Sequence, residues 1–494
     1  MITRRALLLA SSAVGLCAGL GAPMALGASN GRRVLIAGAG ISGVCAAYEL
    51  RQRGFEPMVF EAAPRAGGKI RTLRDPFDDG LHVEAGALWL FSSIIERYAD
   101  AFGLTIIPID EALMSGPVLI DGVVVDQRGD GETRWPDTLG LNKREKGLSR
   151  AELLGLYGGG IGGGGPLMAL ATGRDRAAFP YPDLSAYDKM PLADYWRQQG
   201  ASEGAVRIMS LGYLRQAGEG PASYSALTRI VEAADIMKAA GRYPPFVLKG
   251  GNDRLPAAFA DRIGDRLALR CPVRAIDQDG DGVTFTIESN GRQEQVRGDF
   301  AVCTLPLTML RRVAFPAGLS DLRREAINEI AYNSITRVFL QYRQRFWEET
   351  GASPSGLTDR LSNAHYFSTV AQQAQSSRGV IESFAGGERA RALAAMAPDQ
   401  ALRTALEDQS CFHPQAARHY EKGRVFTWDD QPWQGGHQAY FAPSQLTRFF
   451  PALQAPEGRI AFAGEHSWGV PGATHSALSS ALAAVEQVSA MVAR

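Results

Sequence analysis

The residues best suited to chemistry come early. Gly38-x-Gly40-x-x-Gly43 follows one apolar run, and Glu61 closes the next. Glycines at that spacing bring backbone N–H groups close to a phosphate, and a carboxylate at that distance accepts hydrogen bonds from a ribose diol. Together they are suited to holding a dinucleotide. Gly38 permits a tight turn, Gly40 leaves room for a pyrophosphate, and Gly43 lets a helix pack on its strand. Ile41 and Ser42 stand at the start of that helix, where free N–H groups and the positive dipole end attract anions. Ala62 follows the acid directly.

The elements that must position these residues are legible around them. Val34 to Ala37 reads as a buried parallel strand. A helical pattern through Val44, Ala47, Tyr48 and Leu50 stops near Gly54, and Met58 to Phe60 forms the second strand. A lone glycine fingerprint is common in purely structural turns. Here strand, helix, second strand and acid fall in register, which favours the dinucleotide.

The 494 residues suffice for two or three domains and a large core. Hydrophobic content of 45% and charged content of 21% are those of a soluble globular chain. The net charge of zero gives no reason to expect a nucleic-acid partner. Residues 1–28 read as a signal peptide outside the fold. Arg4-Arg5 precedes an apolar stretch from Ala6 to Leu20, and small residues follow around Ala25 to Ala28. This is a twin-arginine (Tat) pattern and implies the corresponding export machinery and a periplasmic or extracellular destination. An uncleaved anchor, or a Sec signal with a chance arginine pair, are the alternatives. Of the five cysteines, Cys17 lies in that segment; the others show no C-x-x-C and no metal-ligand spacing. Cys45 and Cys303 read as buried small hydrophobes.

Arg65-Ala66-Gly67-Gly68-Lys69-Ile70-Arg71-Thr72, following Glu61, resembles the flavin-binding signature of the FAD-dependent amine oxidase family, which includes monoamine, polyamine and L-amino-acid oxidases. Lys69 stands where the family usually has arginine. His82 to Trp89 resembles the segment beside the flavin ring, so Gly86, Ala87, Leu88 and Trp89 are expected to approach it. Val273 matches the residue whose backbone contacts the adenine. Ala461-Phe462-Ala463-Gly464-Glu465-His466, then Gly472-Ala473-Thr474-His475 opening an apolar helix that includes Ala477, resembles the family's C-terminal flavin motif. The resemblance puts Glu465 on the ribityl chain and aims the helix N-terminus at the flavin. It implies an α/β fold: a Rossmann-like FAD-binding domain of the glutathione-reductase type (33–95, 246–300 and 455–494), interleaved with an α+β substrate-binding domain (96–245 and 301–454) that carries a helical insertion.

For the reacting face, Trp428-Asp429-Asp430-Gln431-Pro432-Trp433-Gln434-Gly435-Gly436 resembles the family's aromatic cage segment, with Trp433 as cage wall and Trp428 beside the flavin. Two core tryptophans flanking a loop are the ordinary alternative. Three departures shape the expectation. Pro432 stands where some members carry a cysteine bonded to the flavin, which implies noncovalent FAD. Ala473 stands at the other cage position, so the cage is half open. Arg311 stands where many members place a lysine that holds a water; an arginine can orient a water but is no base at neutral pH. Trp89 or Leu90 occupies the position of a carboxylate-binding arginine, so an α-amino acid is disfavoured unless an arginine such as Arg215 replaces it. His466, His475 and Tyr440 are pocket candidates or structural hydrogen-bonders. Gly158 to Gly165 reads as a surface loop.

The resemblance implies oxidation of an amine to an imine, hydrolysed to a carbonyl and ammonia or a smaller amine, with oxygen or another acceptor; oxygen gives hydrogen peroxide. A C–C desaturase of the same superfamily and a flavin-binding protein without turnover are the competing readings. Substrate identity and oligomeric state stay open, a homodimer included.

Overall fold

Apolar strands bounded by glycines gather the two ends of the chain into one layer. The computed structural model describes residues 31–127, 132–158, 169–170, 181–213, 218–239, 244–351, 353–368, 376–468 and 472–492. The twin-arginine segment, Arg215 and all of the Gly158–Gly165 loop except Gly158 lie outside them. No helix among the described residues is long and apolar enough to cross a membrane.

The first layer is a five-stranded parallel sheet in the order Ile460–Phe462, Phe300–Cys303, Arg33–Ala37, Glu56–Phe60 and Leu267–Ala268. Its strands are apolar on both faces because both are covered. Val34, Ile36, Val59, Val302 and Ala461 pack on helices Ile41–Gln52, Arg254–Ile263 and Thr474–Val492. Leu35, Ala37, Phe60, Ala301 and Phe462 face the antiparallel meander of Val273–Gln278, Val283–Ser289 and Arg292–Gly298. The expected boundary at residue 300 cuts through Phe300–Cys303. That strand stands next to the first strand, so residues 301–303 belong to the dinucleotide layer.

The second layer is a seven-stranded sheet ordered Tyr420–Thr427, Ile335–Tyr342, Gly379–Gly386, Ala364–Phe367, Gly356–Thr358, Val118–Ile120 and Val123–Val125. The last hairpin lies within residues 96–245, and its backbone joins the sheet by pairing with a strand far along the chain. Strands Ile335–Tyr342 and Gly379–Gly386 are buried throughout. Val338, Leu340 and Ile381 meet helices Gly387–Ala394 and Pro398–Phe412. Ile335, Phe339 and Phe384 point the other way, toward Val83, Ala85 and Trp428. The main cavity lies between the two layers.

Candidate active site

The glycine fingerprint makes one end of this cavity, which encloses about 310 Å³. Gly38 has φ +94°, a conformation that L side chains rarely adopt. A Cβ on Gly43 would lie 2.0 Å from the Gly38 carbonyl oxygen, so only glycine allows the helix this close. A Cβ on Gly40 would meet nothing within 4 Å; the space it faces is the cavity. Gly40, Ile41 and Ser42 line that space. The helix they open has neither a side-chain cap nor an acid in its first turn, which leaves its N–H donors for an anion.

Gly67 and Gly68 are laced to this turn. Gly67 N–H donates to the Ala39 carbonyl at 2.8 Å. The buried Glu61 carboxylate accepts from Ala39 N–H at 2.6 Å and Ala63 N–H at 2.8 Å. Burial nevertheless pushes its pKa up. Glu61, Ala62 and Val273 line the same end. Arg65 does not: its guanidinium donates to the carbonyls of Ala66, Gly68 and Ile70 and so braces the turn from behind.

The C-terminal motif arrives from the neighbouring strand. Gly464, Glu465, Ala473, Thr474 and Ala477 all line the cavity. Glu465 accepts from Lys69 Nζ at 2.7 Å, Gly472 N–H at 2.9 Å and Ala439 N–H at 3.3 Å. Burial, the largest influence, would raise its pKa, but the Lys69 charge together with the hydrogen bonds from Lys69 and Gly472 and the other lowering influences outweighs it and holds the group below the usual carboxylate value. Ser42 Oγ donates to the Ala477 carbonyl at 3.0 Å, tying the two helix starts together.

The segment Glu84 to Trp89 is clamped from several elements. Gly86 fits tightly; a Cβ there would lie 1.7 Å from the Lys69 carbonyl oxygen. Arg337, fully buried and paired with the fully buried Glu382, donates to the Gly86 carbonyl at 2.9 Å. Trp428 Nε1 donates to the Ala85 carbonyl at 2.8 Å. Asn252 Nδ2 donates to the Ala87 carbonyl at 2.8 Å. Ala87 lines the cavity, whereas Gly86, Leu88 and Trp89 do not. Trp89 packs edge-on to Tyr366 instead.

Three expectations about the reacting face are corrected. Arg311 does not line the cavity; it donates to the carbonyls of Ile327 and Ile330, each at 2.7 Å, and it is Arg312 that lines it. Trp428, expected beside the flavin, is buried and clamps the Ala85 carbonyl without lining the cavity. Trp433 does line the cavity, but beside Arg274, whose guanidinium lies 5.8 Å from its ring. Arg274 adjoins Val273, so Trp433 belongs with the fingerprint end.

The ring that meets Trp428 is His437, at 5.8 Å between centroids. His437 lines the cavity, and its buried Nδ1 has no hydrogen-bond partner. Burial, helped by the Lys69 and Arg337 charges, brings its pKa down to about 3, so it is neutral. Burial likewise brings His466 down to about 4; it too lines the cavity, with Nδ1 3.5 Å from the Tyr332 hydroxyl. His475 instead contacts the Phe91 ring, and Tyr440 lies off the cavity. His437 is a residue the sequence pattern does not single out; it follows Gly435-Gly436 and turns inward against Trp428.

Two family descriptions match this chain. One, "Flavin containing amine oxidoreductase", spans residues 176–489. The other, "NAD(P)-binding Rossmann-like domain", spans residues 36–102. The chain belongs to the flavin-containing amine oxidoreductases. An L-amino-acid oxidase of Siganus canaliculatus is 28% identical over 93% of this chain and 86% of its own length. An L-amino-acid oxidase of Demansia vestigiata is 26% identical over 93% and 87%. Cyclohexylamine oxidase from Brevibacterium oxydans shares the fold with a TM-score of 0.75 at 23% identity, covering 93% of this chain and 100% of that one. A putrescine oxidase bound to putrescine also scores 0.75, at 21% identity. As a member of the family, this chain is an FAD-dependent oxidoreductase acting on amine substrates. The cradle described above suits FAD: glycine turns, an uncapped helix and a buried acid converge at one end, with a second helix start beyond them.

Proposed function

We propose that this amine oxidoreductase binds FAD noncovalently along the cavity and converts an amine to an imine, which water hydrolyses to a carbonyl and ammonia or a smaller amine. Glu61, Ala62 and Val273 would hold the adenosine. Gly40, Ile41 and Ser42, with Gly67, Gly68 and Lys69, would hold the pyrophosphate and the chain beyond it. Gly464, Glu465, Ala473, Thr474 and Ala477 would receive the remainder. Among the described residues no cysteine lines the cavity, which supports noncovalent binding. FAD, when bound, supplies the acceptor for the hydride equivalent of the substrate α-carbon; with oxygen as the final acceptor, peroxide forms.

The observation that carries this reading is the convergence of Ala87, neutral His437 and the start of the Thr474–Val492 helix on one cavity wall. A neutral, largely dry wall strips water from an amine and favours its uncharged form, which is the reactive one. His437, a neutral ring that lines this cavity, offers the substrate a hydrogen-bonding edge. The positive end of the C-terminal helix favours negative charge developing beside it. Among the described residues, Arg274, beside Trp433, and Arg312 are the arginines that line the cavity. With Trp89 or Leu90 at the position of a carboxylate-binding arginine, a simple amine is the preferred substrate, and the L-amino-acid oxidase relatives make amino acids the comparison class.

A peroxide-coupled assay with a panel of alkylamines, diamines and L-amino acids tests this. Anaerobic bleaching of the flavin absorbance by at least one amine is expected. A panel that yields neither peroxide nor bleaching would sink the proposal. Export by the twin-arginine route, supported by Arg4-Arg5 and by the benefit of folding around FAD before transport, is tested separately. Replacing both arginines with lysine should strand a fused reporter in the cytoplasm.

A further inference from the structure

The stretch that walls the main cavity with Gly67, Gly68, Lys69 and Ile70 also walls a second, open pocket of about 320 Å³. Four arginines (Arg65, Arg71, Arg74 and Arg424) and two acids (Asp75 and Asp253) surround it. The acids are already engaged. Arg74 grips Asp253 through two hydrogen bonds of 2.9 Å. Arg424 reaches Asp75 at 3.1 Å. Arg65 is bonded to backbone carbonyls. Arg71 donates to Gln431 Oε1 at 2.8 Å and lies 4.9 Å from the Phe426 ring centroid, and among the described residues no carboxylate pairs with it.

The lining thus carries four guanidinium groups against two carboxylates. Burial and the Arg424 charge lower the pKa of Arg71, while Arg65, lowered by burial and the Arg71 charge, has the Glu61 and Asp253 charges acting against them. Self-repelling guanidinium groups around an open pocket are what an oxyanion relieves, since their planar N–H forks match phosphate and carboxylate oxygens. We propose that this pocket binds a small multivalent oxyanion, of the phosphate, sulfate or polycarboxylate class, between Arg71 and Arg424.

The site has a mechanical link to the flavin cradle. Arg65 braces Gly68 and Ile70 from behind. The Arg71 carbonyl accepts from Ala85 N–H at 2.8 Å, next to the clamped Gly86. An anion that orders Arg71 therefore stiffens the Arg71–Ala85 pairing that borders the main cavity.

Titration calorimetry on the FAD-loaded protein in chloride buffer tests the site, using sodium phosphate and sodium citrate as separate probes. One saturable site is expected for at least one probe, weakening as chloride is raised. Arg71→Gln should lower the affinity at least tenfold, and Arg424→Gln should lower it severalfold. Arg448→Gln, an exposed arginine paired with Glu325 and Glu329 elsewhere, should leave it unchanged. If Arg71→Gln fails to fold, Arg424→Gln decides alone. Absence of saturable heat for both probes, or affinity unchanged in Arg424→Gln, overturns the proposal. Sedimentation with phosphatidylglycerol vesicles separates the sources of the anion: vesicle binding without binding of either free probe also overturns it. The readout is independent of amine turnover, so it stands or falls separately from the proposed reaction.

Discussion

The two ends of the main cavity are built in different ways. At the fingerprint end the backbone does the work: Gly38, Gly40 and Gly43 shape a turn, and N–H groups supply the donors. At the other end, backbone is held in place by side chains from remote strands. Arg337 and Trp428 fix the carbonyls of Gly86 and Ala85, and His437 supplies the wall. The first construction survives changes to almost any side chain that is not glycine. The second depends on single buried groups, so a few substitutions can dismantle it.

The sharpest way to test this difference is Arg337→Met. It strands the Glu382 carboxylate with no solvent access and releases the Gly86 carbonyl. A loss of about 3–5 kcal/mol is expected from urea unfolding of the FAD-loaded protein; a loss below about 1 kcal/mol would mean that the clamp does not carry the wall. Gly86→Ala comes next. The added methyl must displace the Lys69 carbonyl, at a cost of about 1–3 kcal/mol by the same measurement.

Gly40→Ala probes the opposite end. Its methyl meets no protein atom, so unfolding without cofactor should barely change, while the dissociation constant for FAD should rise about tenfold, or about 1.4 kcal/mol. Equal FAD affinity in the variant would remove the pyrophosphate from this turn. Trp433→Ala and His437→Ala divide the cavity functionally. The first should weaken FAD a few-fold and leave the KM for amine unchanged, and the second should raise that KM. The reverse pattern would restore Trp433 to a cage.

A further effect is in pH dependence. Burial raises the Glu84 carboxyl from 4.5 to about 7, against hydrogen bonds from Asn252 and Thr72 that favour its charged form. The folded state therefore binds this proton more tightly than the unfolded one. The stability this contributes is complete below about pH 4.5 and is lost as pH rises through 7. Glu84→Gln should flatten the unfolding free energy between those values; an unchanged slope would assign the dependence to other groups.

Much of the fold was legible because its determinants are local. The strands Arg33–Ala37 and Glu56–Phe60, the helix Ile41–Gln52 between them and the apolar helix Thr474–Val492 lie close to where their patterns put them. The hairpin at Val118–Val125 was not legible, since its place in the seven-stranded sheet depends on partners more than two hundred residues away. The site divides in the same manner. Gly38 to Gly43, Glu61, Gly67, Gly68 and the Gly464-Glu465 turn announce themselves, because backbone close to a ligand demands glycine wherever it occurs.

By itself, then, the sequence determined the dinucleotide cradle and its pairing with a C-terminal helix start. Glycine spacing and apolar periodicity are one-dimensional signals of backbone geometry. Tertiary structure alone decided that Arg311 serves two carbonyls, that Trp433 stands by Arg274, and that His437 faces the cavity. Where a side chain points on a loop is set by the elements it packs against, and here those elements come from distant parts of the chain.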